Sequence, residues 1–136
     1  MPLTAYDLHG IFFEACGLSS WQREFEPELL ALPTAVRIEL LAQVRVIERF
    51  GPTTGRPRVD TLKGSKHVNM KELRFDANGG VWRVAFAFDP ERRAILLVSG
   101  DKSGTSERAF YQRLIAAADR RFDAHLERMT GSKTRK

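Results

Sequence analysis

The sequence predicts an α+β fold in which an N-terminal helical hairpin packs on a small, twisted antiparallel sheet that a C-terminal helix follows. Apolar residues recur at helical spacing through residues 34–50 and again through residues 106–126. Between these segments lie three short stretches of β-branched and aromatic residues, separated by turn formers. This order of elements indicates a single domain over residues 1–130.

Two helices near the N-terminus are bounded by proline and glycine. Thr34 is the predicted N-cap of the longer helix, residues 34–50, and Gly51 with Pro52 ends it. Its apolar face comprises Val36, Leu40, Leu41, Val44 and Ile47. A shorter helix is predicted over residues 27–32, because proline suits a first helical position and Pro33 stops the helix. The residues before Trp21 fit a strand or a helical turn equally well.

Three strands and a final helix complete the domain. Residues 51–66 are rich in turn formers and basic side chains, which predicts a loop that leads to the sheet. Strands are expected over residues 68–75, 81–88 and 94–99, and the short turns between them favour an antiparallel meander. The last helix, residues 106–126, should pack back on the body through Phe110, Leu114, Ala118, Phe122 and Leu126. Residues 131–136 have the composition of a flexible basic tail.

Composition favours an anionic partner and a cytoplasmic protein. The 136 residues carry a net charge of +5 and a pI near 9.8, which suits nucleic acid, an acidic protein or an anionic membrane. Cys16 is the single cysteine, so nothing indicates an oxidising compartment. The apolar run at residues 10–13 is too short to cross a membrane, and we expect no membrane association. The sequence has no metal-ligand spacing and no glycine-rich phosphate loop, so we expect neither metal nor cofactor.

The central hairpin fixes which side chains face each other. Asn78-Gly79 is the favoured two-residue type I′ turn, and with these residues as the loop Ala77 pairs with Gly80. Counting outward from this pair places Phe75 opposite Trp82 on the face toward the helices, and Arg74 opposite Arg83 on the other face. Two arginines directly opposite each other destabilise a sheet unless carboxylates offset them.

The arginine face should form an open shelf for an anionic ligand. Small or polar neighbours of the pair leave room above the sheet: Met70, Glu72, Ala85 and Ala87. If Phe88 pairs with Ile95 on the third strand, Gly100 lies beside Arg83 and Lys102 reaches the same end of the shelf. Lys71 lies on the opposite face, and further basic groups of the preceding loop could border the shelf, namely Lys63, Lys66 and His67. These four residues are the candidates for RNA binding.

Converging cations on one face suit phosphate binding and RNA cleavage. Arginine grips a phosphodiester with two parallel hydrogen bonds. Cleavage through the neighbouring 2′-hydroxyl needs charge stabilisation, a proton acceptor and a proton donor. Glu72 and His67 are the candidate bases and Tyr111 the candidate acid, whereas Lys102 could stabilise charge or transfer a proton. Each also has a structural alternative: Glu72 neutralises arginine, His67 caps the loop, and Tyr111 packs beside Phe110.

The chain resembles the HigB-like branch of the RelE/ParE toxin superfamily. The stretches that carry the resemblance are GPTTGRPRVDTLKGSKHVNMKELRF, VWRVAFAFDPERRAILLVSGDKSG, EFEPELLALP and FYQRLIAAADRRFDAHL, which span roughly residues 24–126. The resemblance implies a type II toxin that cleaves mRNA, usually on the translating ribosome, and that a cognate helix-turn-helix antitoxin silences. It also implies that Arg74, Arg83 and Lys102 lie at the cleft.

The chain departs from that family pattern at both ends. Residues 1–20 are longer than the strand with which the family normally begins. Near the C-terminus, the tyrosine or histidine that related ribonucleases use has no unambiguous counterpart, because the chain continues into a long helix. The first departure leaves the edge strand of the sheet undefined. The second leaves the general acid and the general base of the reaction unassigned.

Two other functions compete with the ribonuclease interpretation. ParE-like members of the superfamily inhibit DNA gyrase by protein contact. If this chain acts in the same way, loss of Arg74 or Arg83 should leave its toxicity intact. A catalytically inactive module that binds nucleic acid or antitoxin predicts no growth defect on expression.

Overall fold

The computed structural model describes residues 19–134, which form a mixed five-stranded sheet with helices on both faces. The elements in chain order are β1 (Ser19–Trp21), α1 (Phe25–Ala31), α2 (Thr34–Phe50), β2 (Val59–Thr61), β3 (Lys71–Ala77), β4 (Gly80–Phe88), β5 (Ala94–Asp101) and α3 (Glu107–Thr134). A single 3₁₀ turn, Gly51–Thr53, follows α2. Within this part of the chain, no helix is both long enough and apolar enough to cross a membrane.

The α+β class and the antiparallel meander β3-β4-β5 are confirmed, and two short edge strands extend the sheet. The strand order is β1-β5-β4-β3-β2. β1 pairs in parallel with β5, which makes the sheet mixed, and β2 pairs antiparallel with β3. The interpretation of residues 51–66 as a loop was therefore wrong at β2. Three residues are too few to show the alternation by which a strand is recognised in a sequence.

The hairpin register is confirmed, including the pairing of Arg74 with Arg83. Asn78 and Gly79 have φ values of 52° and 77°, as a type I′ turn requires at both central positions. The register predicted for β5 was wrong at one end, since Phe88 pairs with Ala94. A bulge between Ala85 and Phe86 absorbs one residue of β5, so Gly100 nevertheless lies opposite Arg83.

The helices begin and end at slightly different residues than predicted. α1 starts at Phe25, two residues before Pro27, and the N-cap of α2 is Pro33 rather than Thr34. The hydroxyl of Thr34 accepts a hydrogen bond from Arg37, at 3.4 Å, instead of capping the backbone. α3 continues to Thr134, into the segment that its composition assigned to a flexible tail. Residues 1–18 and 135–136 lie outside the described part of the chain.

Each face of the sheet has its own apolar core. On one face, α1 and α2 bury Phe25, Leu40 and Ile47 against a sheet surface that includes Leu73, Val84 and Phe86. On the other, α3 lies across the strands and buries a second set: Met70, Ala85, Ala87, Ile95, Leu97, Phe110, Leu114, Ala118 and Phe122. The prediction of an open shelf on this face was therefore wrong, because α3 packs on the small residues that suggested free space.

Close contacts fix α3 on the sheet at three points along its length. Near its start, a Cβ on Gly100 would lie 2.8 Å from the Phe110 ring, so only glycine allows this approach. Further along, the Arg121 guanidinium donates to the Leu97 carbonyl at 2.8 Å and to the Glu28 carboxylate of α1 at 2.9 Å. Beyond it, His125 contacts the buried carboxylate of Asp89 at 3.0 Å.

Asp89 joins the β4–β5 turn to α3. Its fully buried carboxylate accepts hydrogen bonds from the backbone N–H groups of Glu91 and Arg93, at 2.9 and 3.0 Å, and from the Arg93 guanidinium at 3.1 Å. Burial by itself would raise the pKa of Asp89, but hydrogen bonds from His125 and Arg93 outweigh burial, and the pKa lies below its usual value. The ionised carboxylate therefore stabilises the fold.

We expect Asp89→Asn to lower the free energy of unfolding at neutral pH by about 3 kcal/mol, because it leaves buried donors without their anionic acceptor. A carboxyl group whose pKa is depressed in the folded state stabilises the protein above about pH 4, and this contribution is lost as the pH falls through the folded pKa. Urea unfolding between about pH 7 and pH 2 measures both effects.

The exposed carboxylate of Glu127 provides the control for this prediction. Glu127→Gln should change the unfolding free energy by less than about 0.5 kcal/mol. If the difference between wild type and Asp89→Asn stayed constant down to the lowest pH, the Asp89 charge would not be its cause.

Candidate functional site

A cleft of about 370 Å³ opens where β2, β3 and the start of α3 meet. Strands β2 and β3 supply its sheet wall, the segments on either side of β2 and the turn after β5 supply basic groups, and α3 supplies the opposite wall. The lining residues are Arg56, Asp60, Thr61, Leu62, Lys63, Glu72, Arg74, Lys102, Glu107 and Tyr111. Four of them are cations and three are carboxylates, so charges of both signs line the cleft.

The inner wall is formed by Tyr111 and Glu72, which belong to a hydrogen-bonded group with the buried Arg83. The hydroxyl of Tyr111 donates to Glu72 Oε1 at 2.7 Å and accepts from Arg83 Nε at 3.2 Å. Arg83 also donates to the carbonyl of Trp82 at 2.9 Å, and its Nε lies 3.7 Å from Glu72 Oε1. The side chains of Arg83 and Glu72 are only 7% and 8% exposed, so the hydroxyl joins two almost fully buried ions.

These contacts favour the protonated form of Tyr111. Burial raises the pKa of Tyr111, and the neighbouring carboxylate of Glu72 raises it further, while Arg83 acts in the opposite direction. A neutral phenol with its O–H directed at a carboxylate can donate a proton but cannot accept one as a phenolate. Tyr111 therefore suits the role of acid rather than base.

The outer wall is an ion-paired group around Asp60. The carboxylate of Asp60 accepts a hydrogen bond from Arg56 at 2.7 Å and lies 3.7 Å from the guanidinium of Arg74. Arg74 and Asp60 are 28% and 29% exposed, respectively, so both meet solvent at the cleft. Arg74 thus faces the cleft, whereas its cross-strand neighbour Arg83 lies beneath Tyr111 and is absent from the cleft lining. The two arginines predicted to bind phosphate together therefore do not both face the cleft: Arg74 lines it, and Arg83 is buried.

The turn after β5 brings Lys102 to the cleft. The backbone N–H of Lys102 donates to the Val81 carbonyl at 2.7 Å, and Asp101 accepts hydrogen bonds from the backbone N–H groups of Val81 and Ser103, both at 3.0 Å. These bonds fix the turn. The ammonium of Lys102 lies 5.8 Å from the centre of the Tyr111 ring, within the range of a cation–π contact.

The four residues proposed from the sequence for RNA binding are divided by the structure. Lys63 lines the cleft. Lys66 and His67 instead contact Asp123 of α3, at 2.5 and 2.9 Å, and the His67 ring packs edge-on against Phe122. Lys71 pairs with Phe86 on the other face of the sheet, as the register predicted. His67 is therefore not at the cleft, and it cannot act there as the base.

Sequence reasoning missed three of the charged cleft residues: Arg56, Asp60 and Glu107. Asp60 was missed because β2 was not predicted, although a basic and an acidic residue four positions apart, Arg56 and Asp60, were a signal of local pairing. Glu107 lies in the first turn of α3, one turn before Tyr111. In residues 19–134 no group of three or more His, Cys, Asp or Glu side chains is arranged to hold a metal ion.

Comparison with known proteins identifies the family. The profile of the family described as "Phage derived protein Gp49-like (DUF891)" matches residues 27–123, which include both strands and the helix that form the cleft. The chain belongs to the Gp49-like family. No solved structure matches this Gp49-like chain significantly.

Two curated relatives of this Gp49-like protein come from Mycobacterium tuberculosis. One, named "Putative toxin HigB2", is 38% identical over 120 residues, which cover 88% of this chain and 56% of the relative. The other, named "Putative toxin HigB3", is 42% identical over 98 residues, which cover 72% of this chain and 83% of the relative. The chain thus spans little more than half of the first relative. Both names confirm the HigB-like resemblance drawn from the sequence.

The tyrosine of the cleft can be tested by titration. The chain has two tyrosines, so the ultraviolet absorbance difference between wild type and Tyr111→Phe isolates the ionisation of Tyr111. We expect a midpoint above about pH 10, the usual value for tyrosine. Glu72→Gln should lower this midpoint, because it removes the negative charge beside the hydroxyl while the ring stays buried. A midpoint at or below the usual value would contradict the buried hydroxyl network.

Proposed function

We propose that this protein is the toxin of a toxin–antitoxin pair and that it cleaves RNA in the cleft between β3 and α3. The names of the two relatives support the first part of the proposal. The observation that carries the second part is the placement of four cations in front of a buried hydroxyl and carboxylate. Phosphate binding and proton transfer are thereby available within one cleft.

The cations of the outer cleft bind the phosphodiester in this proposal. Arg74 offers a guanidinium fork from the sheet, and Lys102 offers an ammonium from the opposite side, beside Tyr111. Both can stabilise the negative charge that grows on the phosphorus centre during attack by the 2′-hydroxyl. Lys63 and Arg56 lie at the mouth of the cleft, where they suit the phosphates on either side of the scissile linkage.

The inner group supplies the proton transfers. Glu72 takes the proton of the 2′-hydroxyl while the O2′–P bond forms, and Tyr111 gives its proton to O5′ while the P–O5′ bond breaks. The products are a 2′,3′-cyclic phosphate and a 5′-hydroxyl. Glu72 then returns its proton to the Tyr111 oxygen, 2.7 Å away, which restores the starting state. Arg83 does not touch the substrate in this scheme; it positions Tyr111 and stabilises the transient phenolate.

The proposed partners follow from the same assignment. A cognate antitoxin is the protein partner of a toxin, and the HigB-like resemblance favours an antitoxin with a helix-turn-helix domain. The proposed substrate is mRNA on the translating ribosome, so the proposed place of action is the cytoplasm. No step of the scheme requires a cofactor.

Substitution of the outer cations tests the ribonuclease activity. Arg74→Ala and Lys102→Ala should each lower the rate of RNA cleavage by about a hundredfold, because each removes a group that stabilises the transition-state charge. Arg120→Ala is the matched control, since Arg120 is exposed and lies nine residues after Tyr111, on the opposite side of α3. Its cleavage rate should equal that of wild type.

The cellular readout is the appearance of new mRNA 5′ ends after induced expression, together with arrest of translation. Co-expression of the cognate antitoxin should suppress both effects. DNA damage without new mRNA ends, unchanged by Arg74→Ala, would favour inhibition of DNA gyrase instead. Absence of any growth defect would favour an inactive binding module.

A further inference from the structure

Asp60 occupies a position that the stability of the sheet does not explain. It lies directly opposite Glu72 in the pairing of β2 with β3, so two carboxylates face each other across neighbouring strands. Like charges at such a pair destabilise a sheet. Glu72 is buried and bonded to Tyr111, whereas Asp60 lies toward solvent on the edge strand. The partners of Asp60 are the basic groups of the cleft itself.

The carboxylate of Asp60 is shared between two of the four cleft cations. Its Oδ2 lies 2.7 Å from Arg56 Nη1 and 3.7 Å from Arg74 Nη1. Its Oδ1 accepts the backbone N–H of Thr61 at 2.9 Å, which orients the group toward the cleft. The hydrogen bond from Thr61 lowers the pKa of Asp60, burial opposes this effect, and the two arginines lower the pKa further. The carboxylate is thus ionised at neutral pH.

A carboxylate and a phosphodiester are similar ligands for a guanidinium. Each is a monoanion with two oxygens that accept hydrogen bonds from the arginine fork. The negative charge of Asp60, 3.7 Å from Arg74 Nη1, opposes the approach of a phosphodiester to the same guanidinium. We propose that Asp60 is an internal anion that occupies Arg74 in the free protein, that an RNA phosphodiester replaces it there, and that Asp60 thereby limits the affinity of the cleft for RNA.

This role rests on the proposed function, because its ligand is the RNA phosphate of the same cleft. It differs from the role of Glu72, which takes part in proton transfer and is held by Tyr111. Asp60 neither donates nor accepts a proton in the reaction. Its effect is on binding, and it acts through Arg74.

The test measures binding of a single-stranded 2′-O-methyl RNA oligonucleotide, which cannot be cleaved because its 2′-oxygen is blocked. Asp60→Asn removes the charge and keeps an oxygen for the Thr61 N–H. We expect it to tighten binding about fivefold at low salt, the size of one nearby charge interaction at a solvated site. The gain should shrink as salt is added. Fluorescence anisotropy of a labelled oligonucleotide measures both quantities.

Two further variants separate a local competitor from a general change in net charge. Glu127→Gln removes the same charge at an exposed site sixteen residues after Tyr111, about 24 Å along α3, and should leave affinity nearly unchanged. In the double variant Asp60→Asn with Arg74→Ala, the gain seen with Asp60→Asn alone should shrink, because Arg74 is absent and only Arg56 is still released from Asp60.

The outcomes distinguish this inference from the proposed function. If Arg74→Ala weakens binding but Asp60→Asn gains no more than Glu127→Gln, the inference is overturned and the RNA cleft stands. If the Asp60→Asn gain is undiminished without Arg74, Asp60 does not act through that residue and the inference is again overturned. If Arg74→Ala leaves RNA binding unchanged, the cleft is not the RNA site, and both proposals fail. Loss of cleavage with unchanged binding in Asp60→Asn would make Asp60 a proton-transfer group instead.

Discussion

The hydrogen bond between Tyr111 and Glu72 is the interaction on which the rest of the site depends. It joins α3 to a nearly buried carboxylate of the central sheet, beside the cleft. Without the hydroxyl, Glu72 and Arg83 would be a buried ion pair separated by 3.7 Å, with donors and acceptors left unsatisfied. With it, the carboxylate, the phenol and the guanidinium satisfy one another. The pairing of Arg83 with Arg74 is tolerable for the same reason, since one of the two charges is neutralised locally.

The site is a cleft rather than an open surface because α3 packs on the sheet beside it. Phe110 can approach β5 because Gly100 has no side chain there, and the helix then covers the small residues Ala85 and Ala87. Residues of β2, β3 and the first turns of α3 line the cleft, in which Arg74 remains 28% exposed. Arginine and carboxylate groups inside such a cleft interact more strongly than they would on an open face, because less water surrounds them.

The sequence was sufficient for the features that local chemistry controls. The Asn78-Gly79 turn determined the register of the central hairpin, and helical periodicity predicted α2 to within one residue at its start and to the residue at its end. What it could not supply depended on tertiary contact. The edge strands have three residues each and exist because β5 and β3 offer free edges, so no local pattern marks them. Asp60 and Arg56 were missed together with β2. The burial of Arg83 was missed because the sequence does not show whether the neighbouring alanines are covered by a helix or exposed to solvent.

The net positive charge did not by itself indicate which basic residues form the site. Several arginines of this basic chain serve the fold: Arg37 donates to the carbonyls of Leu30 and Leu32 at the end of α1, and Arg121 clamps α3 to β5. Such groups satisfy backbone carbonyls that a helix end or a bulge leaves open. A functional cation is therefore recognised by its partners rather than by its charge. Arg74 and Lys102 meet that criterion, because each faces the cleft and contacts side chains that a bound anion could replace or share.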